Sequence, residues 1–197
     1  VALSALEQGQ LELGDKLHYL EDADDQLRID DLLSQPNQWQ PVDSAVPNFG
    51  FTRSAFWFHA ELHNDLGRDV SYLLEIANPI LDYADLYLVK DGQLIDTLHT
   101  GDQRPFDDRP IDHRNLLLPL NLAGDDTVEL YIHARTDGAM QLPVTLWETT
   151  RFYEQDQYAF AWQLIFAGIM LALAVYNFSL LFAVKDISYL WYSLNVV

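Results

Sequence analysis

The chain has 197 residues, 49% of them hydrophobic, and sets 30 Asp plus Glu against 11 Lys plus Arg, a formal charge of −19. That balance argues against binding to a nucleic-acid backbone, where association would add repulsion instead of releasing counterions, and leaves cations, neutral polyols and basic partners as compatible ligands. There is no cysteine, which excludes disulfides, thiol catalysis and Cys-ligated zinc.

Every acidic residue except Asp186 and every basic residue except Lys185 lies before position 161, so a charged soluble part precedes an apolar one. The opening VALSA has the small residues of a signal-peptidase site, which predicts an export signal upstream. GQLELGDKLHYLED predicts one or two strands, and LRIDDLLSQPNQWQPV a short helix or turn, with Ile29 to Leu33 its apolar part, followed by a Pro-bounded loop. From residue 50 to 150 the pattern has period two. SAFWFHAELHN alternates Phe56, Phe58, Ala60 and Leu62 with Trp57, His59, Glu61 and His63, as a half-buried strand does. SYLLEIA, ADLYLVK, QLIDTLHT, NLLLPLNL, TVELYIHA and PVTLWET are further strands, and Asp91-Gly92 is a short-hairpin turn. The spacing of these runs predicts an all-β sandwich.

RFYEQDQYAFA, residues 151 to 161, is a connector able to start the following helix early and so couple sandwich motion to a membrane bundle. Residues 162 to 184, WQLIFAGIMLALAVYNFSLLFAV, contain no charge. A helix of that length reaches roughly 34 Å at about 1.5 Å per residue, enough to cross a hydrocarbon core of about 30 Å. Tyr158 and Trp162 at one end, with Tyr189, Trp191 and Tyr192 beyond the other, suit the two interfacial aromatic belts. Asn177 within the span is expected to hydrogen-bond another helix. Lys185 and Asp186 break the apolar run before ISYLWYSLNVV resumes it, which predicts a turn into a second crossing, with Lys185 inside and the acidic domain outside.

The ordered set YLEDADDQLRIDDLL, NFGFTRSAFWFHAELHN, YLLEIANPILDYADLYLVKDG, TGDQRPFDDRPIDHRNLLLPLNL and GAMQLPVTLWE, ending in a span with Tyr176-Asn177, resembles a known family. It is that of the bacterial seven-transmembrane receptors with diverse intracellular signalling modules, specifically their second type of extracellular domain. The resemblance implies a mostly β fold: a jelly-roll β-sandwich similar to carbohydrate-binding modules, followed by a transmembrane α-helix. It implies three parts, a periplasmic sensory sandwich over 1–155, a connector and first membrane helix over 156–184, and the start of a second helix over 185–197. The receptor would sit in the bacterial inner membrane with residues 1 to about 158 in the periplasm. It would sense calcium or a glycan and drive a cytoplasmic histidine kinase or diguanylate cyclase.

Catalysis is not expected of this part, since no GxSxG elbow or HExxH helix occurs and no catalytic residue stands out. His59, Glu61 and His63 share one strand face with donors that suit zinc, although two-residue spacing of polar groups is what any half-buried strand shows. Calcium needs six to eight oxygen ligands. EDADDQLRIDD offers Glu21, Asp22, Asp24, Asp25, Asp30 and Asp31 without an EF-hand's glycine and closing glutamate. Asp82 and Asp85, with Asp107 and Asp108, rank above that cluster because the resemblance puts them near a ligand face. No other cofactor is indicated. For a glycan, Trp57, Tyr72, Tyr83 and Trp147 are the aromatic candidates and Arg109, His113 and Arg114 the polar ones, the arginines suiting carboxylates and hydroxyls or pairing with Asp107, Asp108 and Asp112. A second class of function remains open, in which the sandwich binds another receptor protein or forms a homodimer.

Overall fold

The computed structural model describes residues 1–34 and 38–184, with side chains through residue 179, so the expected turn at Lys185 and the second crossing lie outside the described residues. The chain divides into two compact units, Val1–Arg151 and Phe152–Val197.

The first unit is a β-sandwich. One sheet has the order β1 (Gln10–Glu12), β12 (Val144–Glu148), β6 (Val70–Ile76), β9 (Leu116–Leu122). The other runs β3 (Gln40–Pro41), β2 (His18–Asp22), β5 (Ala55–His63), β10 (Thr127–Arg135), β7 (Tyr83–Lys90), β8 (Gln93–Thr100). A small third sheet pairs β4 (Asn48–Phe51) with β11 (Ala139–Gln141). All named pairings are antiparallel. The expected strands form within about one residue of their sequence boundaries, because period-two alternation leaves each only one register that buries its apolar face.

The core lies between the sheets. Phe56, Phe58, Ala60 and Leu62 of β5, Leu130, Ile132 and Ala134 of β10, and Leu86 and Leu88 of β7 face Leu74 and Ile76 of β6, Leu116 to Leu122 of β9 at alternate positions, and Val144 and Leu146 of β12. Asp91 and Gly92, at φ 52° and 72°, form the two-residue turn between β7 and β8, both in the left-handed region that a type I′ hairpin demands. Pro119 interrupts β9 without breaking the sheet, since among the described residues β9 pairs with β6 alone and its other edge needs no donor.

The outer face of the six-stranded sheet is where the structure departs from simple alternation. A short helix α1 (Ile29–Ser34) and its flanks fold over it, packing Leu32 against Trp57, Val89 and Tyr131, with Leu27, Ile29 and Trp39 around them. Trp57, expected on the solvent side, is therefore only 1% exposed. Asp22 fastens this cover, its two carboxylate oxygens accepting the backbone N–H of Gln26 and Leu27 at 3.1 and 2.8 Å.

The helix α2 (Thr149–Val184) starts directly after β12, so the connector expected at 151–161 is itself helical. Residues Thr149–Ser179 are long and apolar enough to cross a membrane, with their most apolar stretch unburied by the protein. Asn177 Nδ2 donates to the carbonyl of Leu173 at 2.9 Å, one turn back, which satisfies the amide within its own helix.

Candidate functional site

Cross-strand register lines up a polar row on the outer face of the larger sheet. Trp57 of β5 lies opposite His133 of β10, His133 opposite Asp85 of β7, and Asp85 opposite His99 of β8. The neighbouring rows set Tyr131 beside Tyr87 and Arg135 beside Tyr83. Where α1 stops covering this face, a cleft of about 300 Å³ opens. Trp57, His133 and Asp85 line it, with Tyr83 and Tyr87. The segment before α1 supplies Asp25 and Arg28, the loop after β8 supplies Arg104, and the end of β10 supplies Arg135.

The rings brace one another. Trp57 stacks on Tyr87 at 5.6 Å between centroids with 28° between planes, and His133 packs on Trp57 at 4.6 Å. Tyr83 carries two guanidinium groups near its face, Arg104 at 5.7 Å and Arg135 at 5.6 Å.

Each aspartate is tied to an arginine and a histidine. Asp85 meets Arg104 Nη2 at 2.9 Å through Oδ1 and at 3.1 Å through Oδ2, and Oδ1 is 3.1 Å from His99 Nδ1. Asp25 accepts from Arg135 Nη1 at 2.9 Å and lies 3.1 Å from His133 Nε2. The contacts to Asp85 Oδ1 and Asp25 Oδ1 are close but off the hydrogen-bond axis, so neither oxygen has a hydrogen-bond partner among the described residues. Desolvation pushes the His133 imidazole below its ordinary value, against the opposing pull of Asp25, Asp85 and Asp22, so it is neutral at pH 7. Burial, then the Asp85 charge, raises the Tyr87 phenol, while Arg104 and Arg28 pull the other way.

Two buried donors in the cleft lining, Trp57 Nε1 and Arg104 Nε, have no hydrogen-bond acceptor among the described residues. Buried donors are rarely left so, and here two occur in one lining.

Of the residues singled out in the sequence, the cleft brings together Trp57, Tyr83 and Asp85, with Asp25 from the acidic stretch. Tyr72 is buried on the inner face of β6 within the main core. Trp147 is also buried, its Nε1 donating to Glu75 at 2.7 Å on the outer face of the smaller sheet. Asp82 instead holds its loop, accepting the Asp137 N–H at 2.6 Å. Asp107 and Asp108 sit in a short 3₁₀ turn, Phe106–Asp108, on the crossover between sheets. Further along it, Arg109 donates to the His113 and Arg114 carbonyls at 3.0 and 3.5 Å and stacks 4.6 Å over Phe106. His113 Nδ1 accepts the Asn115 N–H at 3.0 Å, and Asn115 donates to Glu75 at 2.6 Å, fastening the loop to the smaller sheet. None of Asp82, Asp107, Asp108, Arg109, His113 and Arg114 lines the cleft.

The HAELH face is engaged locally: His59 Nε2 lies 3.2 Å from Glu129 and His63 Nδ1 2.9 Å from Thr127. Among the described residues, one group of three has ligating atoms close enough for a metal, Asp22, Asp25 and His133. Asp22 and Asp25 come from the acidic stretch ranked second in the sequence.

Arg28, Tyr87, Arg104, His133 and Arg135 were missed, and Asp25 was marked only as one carboxylate of an acidic stretch. The alternation Asp85-Tyr87 and His133-Arg135 already put polar groups on the outer face of two strands, but that they are central neighbours is a matter of sheet order. Asp25, Arg28 and Arg104 arrive on loops, where no periodicity marks them.

Comparison with known families matches residues 14–148 to the model "7TMR-DISM extracellular 2" and residues 159–197 to "7TM diverse intracellular signalling". No curated protein matches the chain. Among solved structures, a carbohydrate-binding module, CsCBM6-3 from Clostridium stercorarium in complex with cellobiose, is similar at 16% identity and TM-score 0.30, over 52% of this chain and 81% of that one. A family GH115 4-O-methyl-α-glucuronidase, BtGH115A, with specificity for decorated arabinogalactans, is similar at 14% identity and TM-score 0.33, over 74% of this chain and 18% of that one. Likeness at that level carries no functional argument.

Proposed function

Because the chain belongs to the seven-transmembrane receptors with diverse intracellular signalling modules, joining their second extracellular domain to the start of their seven-helix region, we propose that it senses a glycan in the Tyr83–Tyr87 cleft. The extracellular unit is a sensory rather than a catalytic module, and the protein is a membrane protein with its N-terminal part in the periplasm. The finer reading places it in the bacterial inner membrane, upstream of a cytoplasmic histidine kinase or diguanylate cyclase.

One observation carries the glycan reading. Tyr83 and Tyr87 present half-buried ring surface in the same small cleft as Asp25, Asp85 and Arg104. Sugar recognition requires that combination, apolar ring faces covered by aromatics and hydroxyls met by charged donors and acceptors. Calcium gains less support. Asp22 already has both oxygens on backbone N–H groups, Asp25 is held by Arg135, and the third ligand is a nitrogen, whereas calcium takes six to eight oxygens.

The chain in detergent micelles, applied to a broad glycan array, is expected to bind a subset of glycans. Tyr87→Ala is expected to weaken that binding by about tenfold or more, a stacking contribution of about 0.5–1.5 kcal/mol plus lost apolar area. An array without a single binder would sink the reading in favour of a protein-binding or dimerising module.

A further inference from the structure

The cations of this acidic chain are unevenly spent. Three of its 11 Lys plus Arg, at positions 28, 104 and 135, meet in the cleft, where they face only two aspartates. Asp85 is matched by Arg104 and Asp25 by Arg135. Arg28 is the one left over. Its Nη1 donates to the carbonyls of Leu27 at 2.9 Å and Asp25 at 3.4 Å, and its side chain meets no carboxylate among the described residues. Those two bonds, both from one terminal nitrogen, hold the guanidinium at the rim while its remaining N–H groups stay available. Arg104 adds an unmatched N–H of its own at Nε.

A neutral sugar would satisfy hydroxyl partners but leave the surplus positive charge uncompensated. A planar carboxylate meets guanidinium groups with two parallel hydrogen bonds, a match that neither a hydroxyl nor a cation offers. The overall charge of −19 is no obstacle, because carboxylates on distant faces are screened within about 8 Å at physiological ionic strength.

We infer that the glycan bound here is acidic, a uronic-acid type of sugar whose ring rests against Tyr87 and whose carboxylate docks between Arg28 and Arg104. This rests on the glycan reading above and narrows it to a substrate class.

The test titrates the full chain in detergent micelles with matched pairs that differ only at C6, methyl glucuronide against methyl glucoside and methyl galacturonide against methyl galactoside. Glutamate serves as a carboxylate without a ring, and tryptophan fluorescence and melting temperature are the readouts. At least one uronide is expected to bind about tenfold or more tighter than its neutral partner. That preference should shrink towards parity in Arg28→Gln, an exposed substitution whose melting temperature without ligand should stay unchanged, and should weaken as salt is raised. Equal binding within both pairs overturns the acidic-sugar inference and leaves the glycan reading standing. Glutamate binding as tightly as the uronide overturns the sugar part of the inference, and binding of neither member of either pair, together with an empty array, overturns both.

Discussion

His133 illustrates what a single residue contributes when it sits in the middle of a sheet. It is 8% exposed, packed on Trp57 and within 3.1 Å of Asp25, yet desolvation outweighs the carboxylates and holds it neutral. The unfolded chain protonates this imidazole near 6.5 while the folded chain resists, so below that pH the unfolded state binds more protons. Stability contributed by His133 is therefore present above pH 6.5 and is lost as pH falls towards its depressed folded value. His59, also lowered by burial, acts in the same direction. Urea midpoints at pH 7.5 and 5.5 check this: the chain is expected to be less stable at the lower pH, and His133→Gln to lose less over the same interval. An unchanged pH dependence in the variant would remove His133 from the account.

Elements matter here chiefly for where they end. The loop leaving β8 turns at Gly101, φ 139°, where an added Cβ would lie 2.2 Å from the Asp82 carbonyl oxygen. Glycine at this position lets the loop press against the end of β7, with the Asp102 N–H bonded to Leu81 O at 2.7 Å and that of Gln103 to Asp82 O at 3.1 Å. That seat carries Arg104 to Asp85. Gly101→Ala is expected to cost about 1–3 kcal/mol of stability in urea unfolding and to weaken ligand binding as Arg104 is displaced. Substitution at Gly124, whose near neighbours belong to the Gly67-Arg68 turn, serves as a comparison in which ligand binding should be retained.

At the scale of the molecule, an acidic sandwich is followed by an apolar helix, and the two have opposite requirements of their surroundings. The charged unit needs water. The helix through Ser179 exposes Leu164, Ile165, Phe166, Ile169 and Leu171 and is stable in a bilayer because its backbone bonds are satisfied internally. Leu171→Arg, within this stretch, is expected to disfavour insertion by about 2.5–3.5 kcal/mol, read as a shift from inserted to translocated product in a glycosylation-mapping assay. Unchanged insertion would contradict the assignment of this helix as a span.

The strands, their inward faces, the Asp91-Gly92 hairpin and the uncharged span were legible in the sequence because each rests on local periodicity or on turn chemistry. Alternation in SAFWFHAELHN assigns the faces of β5, but it cannot say that α1 will lie over one of them and bury Trp57. Of the site, the sequence marked Trp57, Tyr83 and Asp85, and Asp25 as one of an acidic stretch. Tyr72 and the Arg109–Arg114 loop carried equally suggestive residue types, but Tyr72 shares the inner face of β6 with Leu74 and Ile76, and the loop lies on the crossover between sheets. The cleft joins β5, β10, β7 and two loops separated by up to 110 positions, as in the Asp25–Arg135 pair. Such a meeting is a long-range outcome of packing, and only the tertiary structure decides which scarce cations share one pocket.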